Sequence, residues 1–259
     1  MRPETDGRGG AAKVLQRGPL TTVTLCGYAR GNRLWAFNRM GSARRELART
    51  PGLRFRKLLG VGLGNGFSLR PDFSRYGLLA VWDDERAAAD FFAASSLAAS
   101  YREHAEEIWT VRLRTAQAHG RWSGVNPFQP ATPDEEPAGG HQEEPNTRPV
   151  AVLTRATVRL SKLRAFWRAV PATTRELDRA RGLVASVGTG EAPWLRPATF
   201  SLWRDEAAMR EFAYGSAAHR EAIRRRAAER WYSEELFARF VPVGSEGTWG
   251  GRDPLAGLL

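Results

Sequence analysis

What the chain has little of narrows its function first. In 259 residues there is one cysteine, Cys26, which excludes an intramolecular disulfide and fits a reducing, cytoplasmic setting. Histidine is nearly as scarce, with four copies and no H-E-x-x-H pair, paired cysteines or His/carboxylate cluster. A mononuclear zinc or non-haem iron centre therefore lacks its usual ligands. No G-x-S-x-G is present, and Cys26 in a predicted strand reads as a small core residue rather than a nucleophile. No apolar run approaches the roughly 20 residues of a transmembrane helix, although peripheral membrane contact stays open. Residues 1–18 have no apolar stretch and read as a disordered tail, not a secretory signal.

Acidic side chains are also short, 28 against 39 lysines and arginines, for a formal charge of +11. That balance suits anionic partners. Yet the arginines are spread at helical surface spacing, and no RNA-binding aromatic string falls on a predicted strand, so nucleic acid is set aside. What the chain does have is 42% hydrophobic residues and nine tryptophans, enough for one large domain or two of about 100 residues.

VGLGNGFSLRP (61–71) is answered by VGTGEAPWLRP (187–197), 126 residues later. Neither has the G-x-G-x-x-G spacing or opens a helix, so a phosphate cradle is a poor reading. A strand-to-strand connection needing positive φ, beside a ligand at a barrel mouth, is the better one. The copy extends outward. RLWAF (33–37) answers KLRAF (162–166), REL-x-R (45–49) recurs at 175–179, and Trp82, Phe91 and Trp109 answer Trp203, Phe212 and Trp231. The order is that of an internal duplication.

Each half predicts strand–helix–strand–strand–helix–strand. In the first the strand at 21–28 precedes a helix at 33–47; in the second, 150–160 precedes 162–180, capped by Ser161. Gly52 and Gly182 end those helices, and Asp84-Glu85 and Asp205-Glu206 start the next ones, which run on to near Trp109 and Trp231. The expected fold class is α+β: two tandem ferredoxin-like halves closing into a dimeric-α+β-barrel-like pseudo-dimer whose interior can hold a ligand. The expected divisions are 1–18 tail, 19–118 first half, 119–148 proline-rich acidic linker with a docked start carrying Trp122 and Phe128, 149–244 second half, and 245–259 C-terminal tail.

Among the histidines, His141 falls in the linker, His104 in a polar helical stretch and His119 just past the fourth strand. His219 stands in SAAHREAIRRRAAERW, aligned with aliphatic Leu97 or Ala98 of the first half. An imidazole in one copy only suits a metal or cofactor bound by that half; an ordinary helical histidine is the alternative.

NRLWAF (32–37), PGLRF-x-KL (51–58), GRW-x-G-x-x-PF (120–128), LTRATV (153–158), GE-x-PWL (190–195) and RWYSEELFARF (230–240) resemble the spheroidene monooxygenase family of carotenoid biosynthesis, over about residues 21–242. The resemblance implies a haem b-dependent monooxygenase using dioxygen on an apolar small molecule, a carotenoid or other specialised metabolite, with an electron donor such as ferredoxin. It also implies an axial iron ligand from the second half, a part His219 can play, with Arg220 and Arg224 pairing to propionates. Trp35, Trp167 and Trp194 are the candidates for the opposite, distal face; core or rim packing is the alternative for each. Two further expectations stay open: a haem enzyme acting on a nitrogenous metabolite, and a non-catalytic haem or apolar-ligand binder.

Overall fold

A computed structural model describes residues 18–64, 66, 68–128, 147–192, 194–215, 221, 224 and 228–259. Eight antiparallel strands close into one barrel: β1 (Leu20–Gly27), β2 (Leu53–Gly62), β3 (Pro71–Trp82), β4 (Glu107–Gly120), β5 (Val150–Val158), β6 (Leu183–Gly190), β7 (Pro197–Trp203) and β8 (Tyr232–Gly247). Their order around the ring is β1-β3-β2-β6-β7-β5-β8-β4. The first four strands thus form one arc and the last four the other. The arcs meet at a long β4–β8 seam and at a short β2–β6 seam, where Gly60 faces Gly190 and Val61 faces Thr189. Outside the barrel lie α1 (Arg33–Ala48), α2 (Glu85–Ala94), α3 (Ser96–His104), α4 (Leu163–Asp178) and α5 (Glu206–Gly215).

Local chemistry accounts for the breaks between elements. Asp84 and Asp205 accept the Ala87 and Ala208 amides at 2.8 and 2.7 Å and so start α2 and α5. Ser95 takes the Ala98 amide at 3.0 Å, which splits the helix expected to continue towards Trp109 into α2 and α3. Each such cap contributes about 1 kcal/mol. Ser161 caps nothing: it lies in a short 3-10 turn, Leu160–Lys162, and α4 begins at Leu163 without a side-chain cap. Gly52 and Gly182 have φ of +70° and +75°, and a Cβ on either would sit 2.5 Å from the Cβ of Ala87 or Ala208. Both the left-handed turn and the close helix approach require glycine.

The two helices α1 and α4 lie 130 residues apart at both ends. The RLWAF/KLRAF match, 129 apart, is one residue out of structural register. Phe166 is buried in the place that corresponds to Ala36, and Trp167 is the counterpart of Phe37.

The barrel interior is solid. Val23, Leu79, Val111, Leu153, Phe200 and Phe240 point inward and meet in one core. One end is closed by residues 120–128, with Trp122 and Phe128 buried; the other by residues 249–258, with Leu255 buried in the same core. Among the described residues these side chains fill the interior, which eight strands leave just wide enough for them, so the ligand space expected inside the barrel is taken up by the core. The segment expected as a C-terminal tail contains the end of β8 and the Leu255 plug.

A polar network fixes the Trp122 end. Trp122 Nε1–H donates to Glu191, Lys57 pairs with Glu191 at 3.0 Å, and buried Arg155 donates to Glu234. Glu234 also accepts the Ser123 and Gly124 amides at 3.1 and 2.7 Å. Burial opposes ionisation of Glu234, but these amides and Arg155 outweigh it and hold its carboxyl below the usual range.

Candidate functional site

A cavity lies outside the barrel wall, over the short seam between the arcs, with a volume of about 230 Å³. Its floor is made of glycines from the two strand ends: Gly60 and Gly62 of β2, Gly188 and Gly190 of β6. Phe37 and Met40 of α1 wall one side, and Trp167 of α4 the other. Phe37 and Trp167, the two structural counterparts, thus face one cavity from opposite halves.

The glycines serve close packing rather than the positive φ expected of them. Of those around the cavity only Gly64, at φ +89°, is left-handed. A Cβ on Gly62 would come within 2.9 Å of Ser68 Cβ, and one on Gly190 within 2.9 Å of the Arg196 carbonyl oxygen. Above the floor, Trp167 Nε1–H donates to the Trp194 carbonyl and Trp194 Nε1–H donates to the Leu69 carbonyl, both at 3.0 Å. This chain ties α4 to the β2–β3 hairpin across the seam. Trp194 adopts φ +65°, a conformation that a bulky side chain takes only at a cost of about 1–3 kcal/mol.

Next to the cavity, the outer faces of the two arcs differ layer by layer. Strand pairing matches Leu78 to Thr199, Leu58 to Gly188 and Cys26 to Ala156. The second arc is smaller at every one of these positions. Thr24 is fully buried, with its Oγ1 3.0 Å from that of Thr110, whereas its counterpart Thr154 is exposed in mid-strand. Helix α4 also approaches its strands less closely than α1 does, and the buried Ser186 Oγ on this face has no hydrogen-bond partner among the described residues. The outer face of the second arc is thus a small-residue cradle on the α4 side of the sheet, next to Gly188 on the cavity floor.

The candidate residues fall in different places. Trp167 and Trp194 line the cavity. Trp35 does not; it stacks on His104 with ring centroids 3.9 Å apart. His104, expected as a solvated residue, is half-buried there, and its Nδ1–H donates to the Ser100 carbonyl at 3.0 Å. His119 stacks on Phe237 at 5.1 Å. Arg224 is exposed and pairs with Glu221 at 2.6 Å. His219, Arg220 and His141 lie outside the described residues. Among the described residues no group of three or more His, Cys, Asp or Glu could hold a metal ion.

Sequence reasoning did not single out Thr154, Ser186 or Thr199. It matched Gly188 to Gly62, 126 residues away, whereas strand pairing makes Leu58 its counterpart, so the size difference there became visible only in the structure. In the first arc the equivalent space is filled, and Cys26 is so dry there that burial pushes its thiol up to about 12. Among the described residues the cavity offers no acid–base pair: Asp72 accepts from Ser74, Glu191 is engaged with Trp122 and Lys57, and Arg44 and Tyr76 complete the polar lining. Its chemistry is that of an apolar recess.

No protein-family model matches the chain. Three curated proteins named spheroidene monooxygenase are similar to it over most of its length. The one from Rhodobacter capsulatus is 39% identical over 222 residues, 86% of this chain and 89% of that protein. The one from Rubrivivax gelatinosus is 39% identical over 235 residues, covering 91% and 86%. That of Cereibacter sphaeroides is 37% identical over 228 residues, covering 88% and 67%. Among solved structures, aldoxime dehydratase superposes with a TM-score of 0.57 at 11% identity, over 92% of this chain and 83% of that one. A second aldoxime dehydratase, crystallised with butyraldoxime, gives 0.57 at 12% identity over 94% and 85%. These two likenesses concern the fold alone.

Proposed function

The chain belongs to the spheroidene monooxygenase family, and from that premise we propose that it hydroxylates an acyclic carotenoid or similar apolar molecule at a recess between two ferredoxin-like halves, with a haem b held by the second half. The enzyme is a monooxygenase: one oxygen atom of dioxygen enters a C–H bond, and the other leaves as water with electrons from a donor such as ferredoxin.

The thinned outer face of the second arc is the observation that carries the haem reading. A flat, largely apolar group between sheet and helix needs small residues beneath it and a helix set back above it. Thr154, Ala156, Gly188 and Thr199 supply the first, and the stand-off of α4 supplies the second. The unpartnered Ser186 Oγ can donate to a polar edge of the group. His219 would hold the haem iron through its imidazole, and Arg220 and Arg224 would supply cations for the haem carboxylates. When bound, the haem supplies dioxygen activation, which side chains alone do not.

The chain's own residues have simpler tasks. Phe37, Met40, Leu58 and Trp167 surround an apolar chain entering over the seam and exclude water from it. The glycine floor lets that chain lie against the strand backbone. The opening at Gly188 directs its end towards the cradle, so the site selects one terminal C–H bond by position. Trp194, anchored through Leu69 and Trp167, holds the rim in shape.

The test is an absorption spectrum of the protein expressed with haem precursor. A stoichiometric Soret band is expected. His219→Ala should weaken or shift it, and His104→Ala should leave it unchanged. Well-folded protein without the band refutes the haem reading.

A further inference from the structure

The mouth of the cavity carries surface that water alone does not explain. Phe37, Leu69, Phe73 and Trp194 line the cavity and are nonetheless 55, 52, 56 and 52% exposed. Leu34, one turn before Phe37 on α1, and Leu63 in the β2–β3 hairpin are also exposed and extend the apolar collar outward. Two phenylalanines, a tryptophan and three leucines around one opening form an apolar patch of the kind that marks an interaction site. Aromatic rings standing around a rim are also typical of side chains that settle at the headgroup level of a bilayer.

The charges around the collar are sorted. Arg33 and Arg44 share the exposed stripe of α1 with Phe37, and Arg70 follows Leu69; all three are exposed and without an ion pair among the described residues. Arg196, two residues beyond Trp194, is exposed as well, with Glu191 3.8 Å away. The acidic groups here are turned inward and occupied: Asp72 by Ser74 and Arg75, Glu191 by Lys57 and Trp122. An apolar collar ringed by outward cations complements an anionic lipid surface.

The size of the recess points the same way. A volume of about 230 Å³ is below the roughly 300–1,000 Å³ of a pocket that encloses a drug-sized ligand. A long apolar chain inserted at one end must leave the remainder outside, and that remainder stays solvated only if the mouth opens into lipid. We propose that this face docks on an anionic bilayer, with the collar sunk among the headgroups and the cavity mouth facing the lipid. The substrate then enters end-first without crossing water. The proposal rests on the apolar-substrate reading above, but its test does not depend on turnover.

The experiment is flotation of the full-length protein with phosphatidylcholine vesicles, with and without phosphatidylglycerol. Binding is expected only with the anionic lipid, and it should fall as salt is raised. Leu34→Ser with Leu63→Ser should weaken it by about tenfold or more. Arg33→Glu with Arg70→Glu should cost at least about fivefold per arginine. Val243→Ser, an exposed apolar change on β8 across the barrel from the cavity, should change nothing. None of these residues lines the cavity, so turnover of detergent-solubilised substrate should persist in every variant. Wild-type protein that ignores anionic vesicles, or variants that bind as well as wild type, would overturn the proposal. So would a dimer that the same substitutions dissociate in the absence of vesicle binding, because the collar would then be an interface between copies. Normal vesicle binding with no oxidation of any apolar substrate would leave the docking intact and remove the functional reading instead.

Discussion

Gly60 offers the sharpest check on where the substrate lies. It lines the cavity from β2 beside a register shift, without a left-handed φ, and a Cβ placed there meets only the Gly190 carbonyl oxygen, at 3.8 Å. That is ordinary van der Waals contact. Valine also suits a strand better than glycine, by up to about 1 kcal/mol, so Gly60→Val should fold as well as its parent. Its new methyl groups, however, stand inside a recess of about 230 Å³. Displacing one methylene of a ligand from an apolar pocket costs about 1–3 kcal/mol, or about 10- to 200-fold. The expected result is a fall of that size in kcat/KM with detergent-solubilised carotenoid, followed by product absorbance, at unchanged Tm. The counterpart Gly190→Val provides the contrast. Its Cβ would lie 2.9 Å from the Arg196 carbonyl oxygen, backbone that cannot swing aside, so Tm itself should drop. Full activity in a well-folded Gly60→Val variant would refute the placement of substrate over the glycine floor.

Three further outcomes follow from other parts of the fold. Thr154→Phe should fill the cradle of the second arc and lower the haem-to-protein ratio read from the Soret band, with the circular dichroism spectrum retained; undiminished haem content would move the cofactor elsewhere. The depressed carboxyl of Glu234 contributes stability that is present above the ordinary carboxylate range and lost as pH falls through its lowered folded value. Glu234→Gln should therefore flatten the acid side of a Tm-against-pH profile, and an unaltered profile would contradict the assignment. Cys26, buried and with its thiol pushed up to about 12, should react with a thiol reagent only on unfolding. Labelling of the native protein at the rate of a free thiol would show the first arc to be looser than described.

How much of this was legible in the sequence depended on the length scale of the cause. Caps and turns were readable because each is set by neighbours in the chain: Asp84 and Asp205 start helices, and Gly52 and Gly182 end them. The break at Ser95 was missed because a serine amid alanines reads as a tolerated helix residue until its hydroxyl is seen to cap Ala98. The register of α1 against α4 was misjudged by one position because identical letters, RLWAF and KLRAF, outweighed the helix ends. Long-range packing was the least visible. Trp122 announced a docked segment, but nothing local marked Leu255 as a plug for the far end of the barrel.

The facing glycine strand ends of β2 and β6 illustrate what a duplication can and cannot encode. Two copies of one strand end, placed edge to edge, leave Gly60 facing Gly190 and hold the counterparts Phe37 and Trp167 over a common floor. The recess is therefore a product of symmetry, and neither copy contains it alone. The cradle beside it is a product of divergence: Leu78, Leu58 and Cys26 fill the first arc where Thr199, Gly188 and Ala156 thin the second. Symmetry alone would give two equivalent faces and no preference for either. Only one face is thinned, so on the proposed reading a molecule lying in the shared recess presents its end towards Gly188 and Thr154. Restoring bulk on that face should therefore affect the chemistry, and the same change on the first face should affect only packing.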